Sequence, residues 1–245
     1  RRRVEEIRRQ KPSLHSLAVT HSCFFGCVYC FERDTTSHAT FLSVQDARPF
    51  LDALAAFEAR IGAVVPPYVA LYGGEPLQPR THDVLEELLR LGAERGISFS
   101  AVTNGFFLEQ FVDLFAAQGP GFKGVQVVLD GPPAVHDRRR MLKGGAGTFE
   151  QISAGITHAL DAGLSVRVRV NLDRENLDSL PELCETFDAR GWTANAGFRA
   201  VGAPVEDHLC DGLPHVFAED ELIGAYLGLE AEHAQALSAF DSEKV

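Results

Sequence analysis

The sequence predicts an α/β fold in which parallel strands alternate with helices. Two observations carry this. Six short apolar runs, most of them closed by turn-forming residues, alternate with longer stretches whose apolar residues recur at helical spacing. Three cysteines, a Gly-Gly-Glu triplet, an Asn-Gly pair and an Asp-Gly pair each follow directly on one of those runs. Sheets wound with crossover helices carry their sites at the carboxyl ends of the strands.

The elements follow in order. Leu14–Thr20 is the first strand and runs into the cysteine loop. Val44–Ile61 has helical spacing with Ser43 as its N-cap, and Pro49 delays or kinks it. Tyr68–Tyr72 is a short buried strand ended by Gly73-Gly74, and Thr81–Glu94 returns to helical periodicity. The alternation then repeats: strand Ser98–Thr103 and helix Leu108–Ala117, strand Val125–Leu129 and helix Phe149–Ala162, strand Val166–Val170 and helix Leu180–Ala189. Thr193–Phe198 is the last strand. Crossovers between parallel strands are right-handed. Pattern alone leaves a partial barrel and an open doubly wound sheet both open. Val201 to Pro214 is irregular and Glu219 to Phe240 reads as a helix, so the seam between a core and a C-terminal region is expected near residue 200.

Hydrophobic residues make up 45% of the 245, enough for a sizeable core. No apolar run approaches the roughly 20 residues that span a bilayer, so no membrane partner is expected. A net charge of −11 argues against a general nucleic-acid surface, and the basic stretch Arg1 to Lys11 reads as a solvated end. Five cysteines, three of them between Cys23 and Cys30, make a poor disulfide framework and a good metal site. A reducing cytoplasm is the expected setting.

Cys23-Phe-Phe-Gly-Cys27-Val-Tyr-Cys30 sets three thiols at C-x3-C-x2-C. A four-iron cluster usually takes four thiolates. Three leave one iron open to a small molecule, and an open position distinguishes a reactive metal site from a structural one. Zinc is the alternative, with His21 or Cys184 supplying a fourth ligand.

The triplet after a first strand, with Tyr29 before its third cysteine, resembles the signature of the radical S-adenosylmethionine (radical SAM) enzymes. Gly73-Gly74-Glu75-Pro76 resembles that family's Gly-Gly-Glu-Pro motif, and the resemblance extends from about Leu14 to Phe198. It implies a partial (β/α)6 barrel over residues 1–200, with 201–245 beginning a C-terminal region. It also implies a [4Fe-4S] cluster held by Cys23, Cys27 and Cys30, with S-adenosylmethionine (SAM) chelating the open iron. One-electron cleavage of SAM would give a 5′-deoxyadenosyl radical that abstracts hydrogen from substrate, and an electron donor such as flavodoxin or ferredoxin is the implied partner. Tyr29 would lie near the adenine. Gly73 and Gly74 would let the backbone approach SAM, Glu75 would accept its amino group, and Thr103 and Asn104 would stand beside the cofactor. Arg167 and Arg169 alternate with valines on one strand, and either fits a SAM contact or a structural ion pair; Arg169 is the candidate for the first and Arg167 reads as the second.

Val125 to Arg140, VQVVLDGPPAVHDRRR, followed by Gly147-Thr148-Phe149, resembles the peptide- and protein-modifying branch, whose members often carry a SPASM or related domain. The implied substrate is a peptide or protein side chain, as in sulfatase maturases and maturases of ribosomally made peptides. Asp130 would face the mouth of the site, and Arg140 would pair with the SAM carboxylate. Arg138 and Arg139 read as a solvated run, and His136 and Asp137 as braces of the loop. A SPASM domain carries further cysteines. Here Cys184 reads as core and Cys210, near His208 and His215, as a loop residue, and two cysteines cannot complete another four-thiolate cluster. The opening at Arg1 rather than Met favours a trimmed chain. The competing readings are a radical SAM enzyme acting on a small molecule and a non-catalytic zinc or iron–sulfur module. The intact triplet with Gly73-Gly74-Glu75 weighs against the module.

Overall fold

The computed structural model describes residues 11–32, 40–207 and 215–240. The readings made on residues 1–10, on His208 and on Cys210 lie outside them. The strands are β1 (Leu14–Thr20), β2 (Tyr68–Gly73), β3 (Ser98–Thr103), β4 (Phe122–Val128), β5 (Val166–Leu172) and β6 (Phe198–Pro204). They form one sheet in the order β1-β2-β3-β4-β5-β6, every neighbouring pair parallel. That order decides between the two closures. A doubly wound sheet reverses its strand order at a switch point. A monotonic order with crossovers of one hand lays the helices on one face, and the sheet curls into an open, partial barrel around the other.

The helices are α1 (Val44–Ile61), α2 (His82–Ala93), α3 (Val112–Ala116), α4 (Pro133–Arg139), α5 (Phe149–Asp161), α6 (Leu180–Ala189) and α7 (Glu219–His233). Side chains alternate across a strand. Val69 and Leu71, Phe99 and Ala101, Val125 and Val127, and Val166, Val168 and Val170 are buried towards the helices. The other set, including Ser100, Gln126, Arg167, Arg169 and Asn171, faces the lumen. In β4 an extra residue between Phe122 and Val125 keeps both on the helix side, and Gly124 (φ 128°) sits in this bulge. Among the described residues no helix is long and apolar enough to cross a membrane.

Several elements differ from expectation: β4 starts at Phe122 rather than Val125, and the helix expected over Glu219 to Phe240 ends at His233. The last strand begins at Phe198, not Thr193, because Trp192 to Gly197 forms a turn. Asn195 accepts the Gly197 N–H on its side chain at 2.9 Å, and Trp192 is buried against Phe187 and Phe198. The stretch 108–117 divides into a 3-10 turn, Leu108–Phe111, and the short α3. The segment after β4 contains α4, a seven-residue helix opened by Pro133; proline is preorganised for the first helical position.

Candidate active site

β1 ends at Thr20 and the chain leaves the sheet as the cysteine loop. This loop is sutured to the segment after α4. Gly26 N–H donates to Met141 O (2.8 Å), Val28 N–H to Arg139 O (3.1 Å) and Lys143 N–H to Phe24 O (3.0 Å). Phe24 and Phe25 pack on Phe106 and Phe107 beyond β3, with ring centroids 5.1 Å apart for Phe24–Phe107 and 6.0 Å for Phe25–Phe106. Edge and tilted ring contacts of this kind fix orientation as well as burying area. The three thiols are therefore presented from a braced loop.

Cys23, Cys27 and Cys30 all line one cavity of about 170 Å³ at the carboxyl ends of β2 and β3, with Tyr29, Gly73, Gly74, Thr103, Asn104 and Arg140 on its wall. Three thiolates on one zinc, each bonded at about 2.3 Å, would stand roughly 3.8 Å apart. The cysteine sulfurs do not gather within 4.8 Å; among the described residues only His82, Asp83 and Glu86 bring ligand atoms that close. Cys184 lies fully buried in α6, within the hydrophobic core. As they stand, the three sulfurs do not all bond one ion, and their spacing leaves room for a multinuclear cluster. Two nitrogens on the wall, Asn104 Nδ2 and Arg140 Nε, are buried with no hydrogen-bond partner among the described residues. Buried donors are normally satisfied, so a polar ligand in the cavity would complete them. Burial pushes the Cys23 thiol up to about 12 and raises Cys27, so both are neutral until a metal displaces their protons.

Gly73 and Gly74 are required by contact. Gly73 has φ 126°, and a Cβ there would fall 2.1 Å from Thr20 O; at Gly74 a Cβ would fall 2.6 Å from His21 O. Only glycine lets β2 end this close to the cysteine loop. Glu75 stands behind them, fully buried and away from the cavity wall. Its carboxylate accepts the Leu77 N–H (2.8 Å), the Thr103 hydroxyl (2.6 Å) and the Asn104 N–H (2.6 Å). It welds the end of β2 to the end of β3, and both of its oxygens are engaged.

Burial drives Glu75 up to about 7, against the pull of those three donors and of Arg140. Above its ordinary value of 4.5 the unfolded chain has lost this proton while the folded chain still holds it, so stability falls as pH rises from 4.5 towards 7. Glu75→Gln is expected to flatten that part of the stability–pH profile. It should also cost about 1–3 kcal/mol throughout, because either amide orientation turns NH2 towards a backbone N–H. Denaturant melts of both proteins across this range provide the check; an unchanged profile slope would contradict the assignment.

The Tyr29 hydroxyl joins a polar knot. It donates to Asp130 Oδ2 and accepts from Arg140 Nη1 (2.7 Å) and Asn171 Nδ2 (2.9 Å). Asp130, fully buried, takes the Asn171 N–H on its other oxygen at 2.9 Å and does not line the cavity. Arg140 lines the cavity beside Phe25, its guanidinium carbon 5.7 Å from that ring. The Asp130 N–H donates to His136 Nδ1 (3.2 Å), which leaves the proton on Nε2 facing the Thr148 hydroxyl at 3.0 Å. Burial and then the charges of Arg140 and Arg139 hold His136 well below its ordinary value, so it is neutral. Asp137 accepts the Thr148 and Phe149 N–H groups (2.7 and 2.9 Å) at the start of α5. His136 and Asp137 are braces, as the sequence suggests.

Arg139 corrects the sequence reading. Arg138 is exposed, but Arg139 is buried and grips Asp173 with two bonds of 2.9 and 2.8 Å. Helix α4 turns His136 and Arg139, three residues apart, to the same inner face. Asn171, Asp173 and Asn176 belong to the same knot; they carry no motif, and only their polar types at the end of β5 could have flagged them. Arg169 is half-buried and donates to Asn171 Oδ1 at 2.8 Å, outside the cysteine cavity. Arg167 has no carboxylate partner among the described residues, so the structural ion pair expected for it is absent there.

Fold and site together define a cluster-and-SAM domain. The chain matches the radical SAM superfamily over residues 17–187 and belongs to it. Members use a [4Fe-4S] cluster and SAM. Relatives include the GTP 3′,8-cyclase of Xanthomonas campestris pv. campestris (strain B100), 33% identical over 180 residues, covering 71% of this chain and 50% of that protein. The AdoMet-dependent heme synthase of Oleidesulfovibrio alaskensis is 29% identical over 181 residues, covering 71% and 42%. The chain therefore spans about half the length of these relatives. Native anSMEcpe with bound AdoMet and Cp18Cys peptide superposes with a TM-score of 0.71 at 16% identity, over 91% of this chain and 59% of that one. Streptococcus suis SuiB bound to its precursor peptide SuiA gives 0.66 at 13%, over 95% and 49%. At these identities the likeness is one of fold.

Proposed function

We propose that this chain is the catalytic core of an enzyme that cleaves SAM reductively and abstracts a hydrogen atom from a peptide or protein side chain. One observation carries the chemistry: three thiols too far apart for one ion share a cavity with two glycines that admit no Cβ and two unsatisfied donors. When bound, the cluster and SAM supply one-electron cleavage and hydrogen abstraction. The chain's own residues hold and shield them. Cys23, Cys27 and Cys30 are the thiolate ligands; Asn104 and Arg140 offer N–H groups to SAM; Gly73 and Gly74 let the backbone come close. The phenylalanines at 24, 25, 106 and 107 exclude water from one flank. Thr103, Glu75, Tyr29 and Asp130 keep these groups in register from behind.

The peptide reading is supported by the resemblance of Asp130 to Arg140 to the peptide-modifying branch, and by edge strands β1 and β6 that are not paired with each other among the described residues. The small-molecule reading is favoured by a different observation: the relatives at 29% and 33% identity are named for heme and GTP. Anaerobic reconstitution, followed by reductant and SAM, is expected to yield 5′-deoxyadenosine. Cys27→Ala is expected to abolish both the brown cluster absorbance and that product. Turnover surviving in the variant, or no product from a demonstrably loaded native protein, would refute the proposal. Mass shifts in candidate peptides against candidate small molecules then decide the substrate.

A further inference from the structure

Towards the amino ends of the strands the lumen holds a second cavity of about 530 Å³. Val102 of β3 lines both it and the cysteine cavity, so the two adjoin. Lys123 of β4, Arg167 of β5 and Arg199 of β6 stand on its wall, all exposed. Arg167 and Arg199 are direct partners across the β5–β6 ladder. Like charges directly opposite destabilise a sheet. Lys123 donates to Pro120 O (2.8 Å), and Arg199 to Ala196 O (3.2 Å) and Phe198 O (2.6 Å). The Arg167 side chain has no hydrogen-bond or ion-pair partner among the described residues. The described wall contains no carboxylate; its other polar groups are hydroxyls and an amide, from Tyr68, Ser100, Ser165 and Gln126. A chamber with three cations and no acid stands out in a chain whose net charge is −11.

We propose that this lower lumen binds an oxyanion, a carboxylate or a phosphate, borne by the substrate whose reactive end reaches the cysteine cavity. The link to the cysteine cavity rests on the radical SAM reading, and the anion site on the cations alone. Guanidinium groups match the oxygens of either anion in bidentate geometry, and one anion between Arg167 and Arg199 removes their mutual repulsion. The strand supplies a ruler. Arg167 lies four residues from Asn171 along β5, roughly 13 Å at about 3.3 Å per residue. The substrate would carry its charge about that far from the polar knot at the top of the barrel, with Arg169 between.

The test is calorimetric titration of the cluster-loaded protein with inorganic pyrophosphate and, separately, succinate at low ionic strength. Saturable binding of at least one, weakened by added salt, is expected. Arg167→Ser/Arg199→Ser should weaken it at least about tenfold, and Arg167→Gln by a smaller factor. Arg60→Ser, an exposed arginine on the outer helix α1, should leave it unchanged. Tighter pyrophosphate points to a phosphate-bearing substrate and tighter succinate to a carboxylate. No saturable binding of either, or equal binding by a variant that circular dichroism finds folded, overturns the site. Anion binding without 5′-deoxyadenosine formation would sink the proposed function and leave this site standing; the converse result would do the reverse.

Discussion

Asp173→Ala is expected to destabilise the protein by about 3–5 kcal/mol. Arg139 and Asp173 are both buried and share the two short bonds described above. Removing the carboxylate strands a guanidinium that also lies against the Tyr29 ring, its central carbon 5.4 Å from the centroid. The neighbouring Glu175, exposed and 3.4 Å from Arg139 Nη1, can recover part of the loss, so Asp173→Ala/Glu175→Ala should be worse than the single change. Replacing both members of the pair, Arg139→Met/Asp173→Leu, should recover only part of the loss: neither charge of the pair is left alone, but buried Asp130, 3.9 Å from Arg139 Nε, loses a cationic neighbour and the Glu175 N–H loses its acceptor. Denaturant unfolding of the four proteins checks the series. A loss below about 1 kcal/mol in Asp173→Ala would mean that the pair is solvated.

Gly73→Ala is the second large effect. A methyl group would meet a backbone carbonyl at 2.1 Å and would have to adopt φ 126°. Neither atom is the mobile end of a side chain, so β1 and β2 must part where they flank the cofactor cavity. The expected outcome is a loss of about 3 kcal/mol or more, with SAM binding weakened further than stability alone explains. Gly119→Ala is the control: its φ of 51° imposes a backbone cost, but nothing lies within 4 Å, so about 1–2 kcal/mol is expected and SAM binding should be intact. Thermal melts with equilibrium dialysis of SAM distinguish the two. Equal behaviour of both variants would show that contact at Gly73 is unimportant.

Much of this was legible in the sequence, for local reasons. β1, β2, β3 and β5 are apolar runs ended by abrupt changes of residue type, and their observed bounds lie within two residues of the expected ones. The cysteines, Gly73-Gly74 and Thr103-Asn104 sit at strand ends, where topology alone gathers them. What escaped depends on partners far along the chain. Arg139 reads as one of three charges in a row until α4 turns it inward towards a carboxylate 34 residues away. Helix α4 is too short to announce itself by periodicity. β6 starts later than expected because residues 192–197 form a turn anchored by the buried Trp192, which the pattern of Thr193 to Phe198 does not announce. Glu75 was expected to face a ligand, and no residue count could reveal that its two oxygens are already taken from behind. Periodicity could not choose barrel over open sheet either; that followed from strand order.

The cysteine loop borrows its shape from the segment after α4, with Tyr29 and Arg140 joined across 111 residues. Assembly therefore has a direction. A nascent chain exposes all three sulfurs long before the backbone that will orient them has been synthesised, and closing so long a loop is entropically costly until β2, β3 and β4 have docked. The arrangement of the three sulfurs therefore depends on the docking of the first four strands, because the segment that braces their loop follows the fourth.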